Sequence, residues 1–284
     1  MVKNSRKKNI VLAPVVKWVG GKRQLLGDIE QLIPKTFTTY VEPFVGGGAV
    51  LFDVQPKKAV INDFNTELIN VYKVIKDNSD ELIKILQVHE NLNSEEYFYK
   101  IRALDRSDKY DEMNCVEKAA RIIYLNKTCY NGLFRVNQSG QFNSPYGRYK
   151  NPNIVNTPVV LAMSKYFNEN KIKIMSGDYK HALKNLRKGA FVYFDPPYMP
   201  ISSSSSFTGY TENGFNIDKQ VELKEECDKL NSKGIKFLLS NSDHSFIRDL
   251  YKDYEIITVK AKRSINSKGN KRGEINEVLV RNYD

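Results

Sequence analysis

The segment VEPFVGGG, residues 41–48, decides the fold. A hydrophobic strand ends there in three glycines, and the apolar residues that follow predict a helix. Glycines at such a turn let the backbone bend sharply and approach a ligand without interference from a Cβ atom. The ligand would meet the helix N-terminus at the carboxyl end of the strand, where α/β sheets bind their ligands. The segment therefore predicts an α/β fold with a nucleoside-binding turn.

The next predicted strand ends in an acidic residue, Asp63. A carboxylate at that position can accept hydrogen bonds from the hydroxyl groups of a ribose. The pattern is not the dinucleotide fingerprint, because Leu51 stands where the third glycine would be. Nor is the GGKR segment at residues 20–23 a phosphate-binding P-loop, since Val16 replaces its first glycine and Arg23 its metal-binding hydroxyl residue.

Strand-like and helix-like patterns alternate near both ends of the chain. Apolar residues at helical spacing, such as Leu68, Tyr72 and Ile75, separate several strand-like runs. This alternation predicts a Rossmann-like, mostly parallel sheet with helices on both faces. β-Branched and aromatic runs place its strands at residues 40–44, 59–63, 172–175, 191–195, 235–240, 255–259 and 277–280.

The middle of the chain has a different pattern. Residues 77–114 predict helices and little strand, with Ser94 as an N-cap, and a second apolar stripe follows at helical spacing. We therefore predict one α/β domain, residues 1–76 and 170–284, that is interrupted by a mainly helical insert, residues 77–169.

The composition indicates a polyanionic partner. The 284 residues include 44 Lys and Arg against 33 Asp and Glu, which gives a formal net charge of +11 and an isoelectric point near 9.3. An excess of this size favours nucleic acid or another polyanion. Charge alone does not separate DNA, RNA and acidic membrane surfaces, or a protein that is basic only for solubility.

The sequence favours a cytoplasmic protein without a membrane segment. Its three scattered cysteines form no C-x-x-C pair, so neither a disulfide framework nor structural zinc is expected. The basic start of the chain leads into an apolar run, but Pro14 interrupts that run, and Lys17 and Trp18 follow where a signal peptide has small residues. No run approaches the roughly 20 apolar residues of a membrane helix.

Two segments have too little apolar content to predict packed structure. One is a run of five serines at residues 202–206. The other, residues 260–273, is basic and is either a solvated hairpin loop or a loop that contacts phosphates.

The tetrapeptide DPPY, Asp195 to Tyr198, directly follows a predicted strand. Its carboxylate lies where α/β proteins bind ligands. The two prolines end the strand and remove two backbone N–H donors, which leaves carbonyl acceptors beside Asp195. This cluster accepts hydrogen bonds but scarcely donates them, and it therefore suits an amine substrate. Tyr198 adds an aromatic ring of the kind that stacks on an extruded base.

Several segments together resemble the Dam-type DNA adenine-N6 methyltransferases. They are KWVGGK at residues 17–22, the turn at residues 42–48, Asp63 and DPPY. Their order, with the cofactor motif first, a recognition insert next and DPPY last, resembles the alpha group of that family. The likeness covers essentially the whole chain and is greatest to the GATC-modifying methylases of restriction-modification systems. It implies S-adenosylmethionine as the cofactor and requires no metal.

The resemblance also implies the site residues for the cofactor and for catalysis. Asp195 and the Pro196 carbonyl would accept the two N6–H bonds of a flipped adenine on which Tyr198 stacks. Direct, in-line methyl transfer would follow, without a covalent enzyme intermediate. The residues implied to bind the cofactor are Trp18, Lys22, Phe44, Gly46, Gly48, Asp63 (to the ribose), Asp178 (near the adenine) and Asp195.

The insert contains a segment that resembles the family's DNA-reading loop. It is CYNGLFR, residues 129–135, followed by FNSPYG, residues 142–147. By this likeness Arg135 would read a guanine through bidentate hydrogen bonds in the major groove. Asn131, which precedes a glycine, is by itself a turn signal. The other residues implied to contact DNA are Lys17 (flanking guanine), Tyr130 and Leu133 (wedged into the duplex) and Pro145 (a neighbouring base pair).

The implied partner is double-stranded DNA, with GATC as the target. The resemblance also allows a cognate restriction endonuclease that acts on the same site without stable contact. Three alternatives stay open. A cytosine-N4 methyltransferase would usually have Ser at the position of Asp195, an RNA adenine methyltransferase would share the chemistry, and a non-catalytic DNA-binding regulator could keep the fold.

Overall fold

The computed structural model describes residues 8–200, 215–262 and 274–284. Within them, all seven predicted strands are present, and their ends lie within three residues of the predicted ends. The serine run at 202–206 and most of the basic segment at 260–273 lie outside the described residues. The strands are β1 (Thr39–Glu42), β2 (Lys58–Asp63), β3 (Lys171–Ser176), β4 (Ala190–Phe194), β5 (Lys236–Ser242), β6 (Glu255–Lys262) and β7 (Glu274–Arg281).

The strands form a sheet that is parallel in its centre and antiparallel at one edge. Their order is β3-β2-β1-β4-β5-β7-β6. β1 pairs in parallel with both β2 and β4, and β4 pairs in parallel with β5. β7 runs antiparallel between β5 and β6. The prediction of a Rossmann-like, mostly parallel α/β sheet is confirmed, and β1, β2, β4 and β5 all end at the same edge.

Helices flank this sheet and form most of the predicted insert. Within the described residues, none of them has the length and apolar character needed to span a bilayer. The α-helices are α1 (Leu26–Leu32), α2 (Ala49–Val54), α3 (Thr66–Asp77), α4 (Ser79–Leu92), α5 (Glu95–Ala103), α6 (Lys109–Glu112), α7 (Cys115–Thr128), α8 (Thr157–Glu169), α9 (Lys180–Leu183), α10 (Ile217–Ser232) and α11 (Ser245–Leu250).

The described chain divides into two compact units. The helical unit comprises residues 8–21, 46–57 and 65–176, with α2 to α8 and β3. The sheet unit comprises residues 22–45, 58–64 and the described residues from 177 onward, with the other elements. The bounds of these two units follow from how compactly their residues pack together. The predicted division at residues 77 and 169 separates catalysis from DNA recognition, and it stays a prediction.

The core of the sheet unit is built on β4. All five of its residues, AFVYF, are buried, as expected for a central parallel strand that is covered on both faces. On one face Val192 lies in a core cluster with Leu223 of α10 and Ile247 of α11. On the other face the Phe191 ring contacts the ring of Tyr40. This packing fixes the position of the strand's carboxyl end.

The helices of the helical unit begin at residues whose side chains cap them. Asn114 accepts hydrogen bonds from the first backbone N–H groups of α7, and Glu117 completes a capping box. Ser94 caps α5, as predicted, by accepting from the N–H of Tyr97. α7 lies at the centre of the unit, where it packs against α3, α4 and α5.

A buried arginine on α7 joins three backbone and side-chain groups in the helical unit. Arg121 is only 1% exposed and donates to the carbonyls of Ile101 and Arg102 at 3.0 and 2.9 Å. Its Nη2 also lies 2.8 Å from a carboxylate oxygen of Asp105. Asp105 also pairs with Arg106, at 2.5 Å, but removing Arg121 takes away its buried partner and the donor to both carbonyls.

Replacing Arg121 by methionine should therefore lower the free energy of unfolding by about 3 kcal/mol, because Asp105 and two carbonyls lose a buried donor. Urea-induced unfolding, followed by circular dichroism, measures the change. The control is Lys84→Met on the exposed surface of α4, for which a change within about 0.5 kcal/mol is expected. Equal unfolding midpoints for the two variants would contradict the prediction.

Candidate active site

The carboxyl edge of the sheet unit holds three acidic residues at strand ends. The buried Glu42 ends β1, Asp63 ends β2, and Asp195 follows the last residue of β4. Asn62, directly before Asp63, is fully buried and donates to the carbonyls of Pro43 and Gly177 at 3.1 and 2.9 Å. These bonds tie the segment after β1 to the turn at Gly177. Sequence reasoning missed Asn62, although an amide inside a hydrophobic strand is itself a signal.

Two other predicted cofactor residues lie near this turn. Asp178 is exposed, and its carboxylate accepts from the N–H of Lys180 at 2.8 Å. Phe44 is half-buried and stacks on the ring of Tyr179, with 5.0 Å between the ring centroids. Phe64, directly after Asp63, is 79% exposed and presents an aromatic face that sequence reasoning did not single out.

Asp195 is a charged group with little access to water. Its side chain is 19% exposed, and Oδ1 lies 2.8 Å from Nζ of Lys22, whose side chain is 7% exposed. Burial raises the pKa of Asp195 to about 6, although the ammonium of Lys22 opposes this shift. The carboxylate is therefore ionised at neutral pH and accepts hydrogen bonds strongly.

The ring of Tyr198 is held at its hydroxyl and over its face. The hydroxyl donates to Oε2 of Glu277 at 2.7 Å, and Nζ of Lys22 lies 4.6 Å from the ring centroid. Burial raises the pKa of Tyr198 well above its ordinary value, so the hydroxyl stays a donor. Sequence reasoning missed Glu277, because one acidic residue in the last strand matches no motif.

The two proline carbonyls of DPPY have different surroundings. Gln220 donates from Nε2 to the carbonyl of Pro197 at 2.9 Å. No donor among the described residues reaches the carbonyl of Pro196. Because neither proline has an N–H, residues 196 and 197 add backbone acceptors but no backbone donors beside the Asp195 carboxylate. These acceptors lie at the carboxyl edge of the sheet, where α/β proteins bind their ligands.

In the helical unit, the glycine turn packs closely against its neighbours. The φ angles are +48° at Gly46 and +75° at Gly48, in the left-handed region that favours glycine. A Cβ atom would lie 3.2 Å from Trp18 at Gly46, and 2.7 Å from Phe52 at Gly48. The Gly46 carbonyl accepts from the hydroxyl of Tyr72 at 2.6 Å. The conformation of the turn is thus fixed by contacts that larger residues would disrupt.

A buried amide joins Lys17 to the predicted DNA-reading loop. Asn126, 1% exposed, accepts from the N–H of Lys17 at 2.8 Å and donates to the carbonyls of Lys17 and Gly132 at 2.8 and 3.1 Å. The Trp18 ring stacks on Phe134, with 4.8 Å between the centroids. Sequence reasoning missed Asn126, an amide on the buried side of α7.

The predicted DNA-contacting residues of this loop lie mostly on the surface of the helical unit. Tyr130 is 58% exposed, and its N–H donates to the carbonyl of the exposed Pro145 at 2.8 Å. Asn131 is exposed with a φ of +58°, so its turn prediction is confirmed. Lys17 is also exposed, whereas Leu133 is half-buried.

Arg135 is exposed, and a neighbouring residue orients its guanidinium. Nε donates to Oδ1 of Asn143 at 2.6 Å, and Nη2 donates to the carbonyl of Asn143 at 3.2 Å. Phe142, the residue before Asn143, is fixed in turn: its carbonyl accepts from Arg106 at 2.7 Å and its N–H donates to Asp105 at 2.7 Å. Side chains that follow α5 therefore anchor the strand opposite Arg135.

Comparison with known proteins identifies the family. Residues 18–265 match the family model for D12 class N6 adenine-specific DNA methyltransferases. The chain is 49% identical to the Type II methyltransferase M1.LlaDCHI of Lactococcus lactis subsp. cremoris, over 98% of both chains. It is 43% identical to the Type II methyltransferase M.MjaIII of Methanocaldococcus jannaschii, over 95% of this chain and 99% of that one. The DNA adenine methylase of Escherichia coli K12 is 34% identical over 93% of both chains. The chain belongs to the D12 class of N6 adenine-specific DNA methyltransferases.

The raised pKa of Asp195 predicts that this residue destabilises the fold at neutral pH. Its folded-state pKa, about 6, exceeds the ordinary value of 3.8, so stability falls as the pH rises through this interval. Relative to wild type, the Asp195→Asn variant should gain at most about 3 kcal/mol of unfolding free energy between pH 4 and pH 8. Denaturant unfolding at several pH values measures the difference.

Asp243→Asn is the control variant, for which the stability relative to wild type should change with pH in the opposite direction. The Arg248 guanidinium, which donates to Asp243, lowers the pKa of that carboxyl. Removing the Asp243 carboxylate should therefore lower the stability of the variant relative to wild type, increasingly so as the pH rises through the acidic range. A difference between Asp195→Asn and wild type that does not change with pH would contradict the prediction.

Proposed function

We propose that this chain transfers a methyl group from S-adenosylmethionine to N6 of adenine in double-stranded DNA, within GATC. The acceptor-only cluster of Asp195 and the Pro196 carbonyl, beside the Tyr198 ring, is the observation that carries the proposal. Family membership supports the reaction. Relatives named Type II methyltransferases support a role in protecting DNA within a restriction-modification system.

In the proposed mechanism, the acceptors turn a poor nucleophile into a better one. The lone pair of the adenine amine is delocalised into the ring. Asp195 and the carbonyl of Pro196 accept the two N6–H bonds, which draws the nitrogen toward a tetrahedral geometry and frees its lone pair. The Tyr198 ring stacks on the extruded base and offsets part of the few kcal/mol that unpairing costs.

Lys22 keeps the main acceptor charged. Burial alone would favour the protonated form of Asp195, which is a weaker acceptor and carries an O–H donor. The Lys22 ammonium, 2.8 Å away, counteracts this effect. It also lies over the Tyr198 ring, where a cation is attracted to the aromatic face.

We assign cofactor binding to the residues that the family resemblance implies. When bound, S-adenosylmethionine supplies an electrophilic methyl group on a sulfonium. In the helical unit, Gly46 and Gly48 adopt left-handed backbone conformations and pack against Trp18 and Phe52, which supports a turn that is shaped before a ligand binds. In the sheet unit, Asp63 suits the ribose hydroxyls, and Phe64 offers a ring face beside it. The assigned residues are Trp18, Gly46 and Gly48 in the helical unit, and Lys22, Phe44, Asp63, Asp178 and Asp195 in the sheet unit.

We assign DNA reading to the exposed residues of the helical unit. Arg135 hydrogen bonds to a guanine of the target, and Asn143 supports this role because it holds the guanidinium in one orientation. The excess of basic residues supports affinity for the phosphate backbone. The other assigned residues are Lys17 (flanking guanine), Tyr130 and Leu133 (the wedge), Asn131 (the turn) and Pro145 (a neighbouring base pair).

The first test measures transfer of labelled methyl from S-adenosylmethionine to two duplexes that differ only in one GATC site. We expect label only in the GATC duplex, recovered as N6-methyladenine. Asp195→Ala should reduce turnover by at least about a hundredfold, because a positioned charged acceptor is lost, while duplex affinity is retained.

The other outcomes are distinct. Label in both duplexes would overturn the GATC assignment, and label on another base or only on RNA would overturn the substrate. Binding of cofactor and duplex without transfer would point to a non-catalytic regulator.

Arg135→Gln tests the assignment of guanine reading. We expect kcat/KM for the GATC duplex to fall by about tenfold or more, since a bidentate Arg–guanine contact contributes roughly 1–3 kcal/mol of discrimination. The fall in kcat/KM that Arg135→Gln causes should be much smaller for a duplex in which another base already replaces that guanine. Arg148→Gln is the matched control, because this residue lies in the same segment with its side chain 78% exposed. Equal losses in the two variants would show that only general charge matters.

A further inference from the structure

The strand next to DPPY ends in polar residues that are buried. Phe194, the last residue of β4, pairs with Leu239 of β5, and β5 continues for three more residues. These are Ser240 and Asn241, both fully buried, and Ser242, which is 3% exposed. Because β5 extends beyond β4, its polar end lies beside the residues that follow Asp195.

Two of these side chains hold both polar groups of one residue in the DPPY segment. Oδ1 of Asn241 accepts from the N–H of Met199 at 3.1 Å. Oγ of Ser242 donates to the carbonyl of Met199 at 2.7 Å. Asn241 also accepts from the N–H of Ser242 at 2.9 Å, which is one of the hydrogen bonds that orient its amide.

A third buried side chain extends this network to α10. Gln220 is fully buried; its Nε2 donates to the carbonyl of Pro197 at 2.9 Å, and its Oε1 accepts from Nδ2 of Asn241 at 3.1 Å. Burying an amide costs free energy unless its hydrogen bonds are formed. An apolar residue would fill the same space without that requirement. The network therefore specifies a conformation more than it adds stability.

The conformation that it specifies distinguishes the Pro196 carbonyl from those of Pro197 and Met199. Those of Pro197 and Met199 are occupied by Gln220 and Ser242, and that of Pro196 is the one assigned to the substrate amine. Without Gln220, the Pro197 peptide could rotate and present a second acceptor at a different angle. A misplaced acceptor would hold the amine away from the position that in-line transfer requires.

We propose that Gln220, Asn241 and Ser242 are positioning residues, which fix the Pro197 and Met199 peptide groups so that the Pro196 carbonyl and the Tyr198 ring face the base. This inference rests on the proposed adenine methylation. None of the three touches the reacting atoms. Their effect is transmitted through the backbone of residues 196–199.

The first test compares Gln220→Met with Cys227→Ala. Cys227 lies two turns after Gln220 on α10, is fully buried and makes none of the hydrogen bonds described above, so its variant controls for loss of stability. Gln220→Met should lower kcat by about tenfold or more while KM for the duplex changes by less than about threefold. Cys227→Ala should leave kcat within about twofold. Equal losses of kcat in the two variants would overturn the inference.

Amide hydrogen exchange provides a measure that does not depend on methyl transfer. Pro196 and Pro197 have no N–H, so the backbone amides of Tyr198 and Met199 are the ones in residues 196–199 that can exchange hydrogen. In Gln220→Met, the Met199 amide should exchange about tenfold faster or more, since Asn241 loses its orienting partner. Unchanged exchange would overturn the inference even if the wild-type chain transferred no methyl group. Absence of wild-type transfer would by itself overturn only the proposed function.

Gln220→Glu separates positioning from simple packing. A protonated carboxyl at this site can donate to the Pro197 carbonyl and accept from Asn241, as the amide does, whereas a carboxylate can only accept. Burial raises the pKa of such a carboxyl. The ratio of the variant's kcat to that of wild type should therefore rise severalfold as the pH falls from 9 to 6.5. Both proteins contain Asp195, so dividing the kcat of the variant by that of wild type at each pH cancels the effect of Asp195 titration. A flat ratio, as expected for Gln220→Met, would show that the hydrogen bond has no positioning role.

Discussion

The site depends on keeping one carboxylate charged where little water reaches it. Removing a carboxylate from water favours its protonated form, which is a donor. The chain counters this at Asp195 with the ammonium of Lys22, whereas the two prolines supply no N–H that could stabilise the carboxylate. The Lys22 ammonium offsets the effect of burial only in part, because the pKa of Asp195 is still raised to about 6. The fold thus tolerates an unfavourable charge, as is common where chemistry rather than stability determines a residue.

The strand order explains how residues far apart in the sequence meet around that carboxylate. Parallel strands bring their carboxyl ends to one edge, which accounts for Asp63 and Asp195. The antiparallel strand β7 adds a residue from near the C-terminus: Glu277 is paired with Ser242 in the register of β5 and β7, and it accepts from Tyr198. The antiparallel edge therefore completes a site that a purely parallel sheet would leave without this contact.

The sequence predicted the strands and the main acceptor because these features are local. The buried parallel strands are continuous hydrophobic runs, and Gly46, Asp63 and Asp195 mark where they end. Glu277 and Gln220 could not be predicted in the same way. Each acts through a tertiary partner, and Glu and Gln are ordinarily surface residues. The two compact units were not predictable either, since the glycine turn belongs to one unit and the strand before it to the other.

Asn126 has a consequence for how target recognition in this family can change. One amide fixes both the backbone of Lys17 and the carbonyl of Gly132, which are more than a hundred residues apart in the chain. Lys17 also packs against Gly132, where a Cβ atom would lie 2.6 Å from its side chain. The loop to which we assign DNA reading is therefore not a module that can be exchanged alone. A graft of residues 129–147 from a relative with another target would have to include the matching N-terminal segment and the helix that carries the amide.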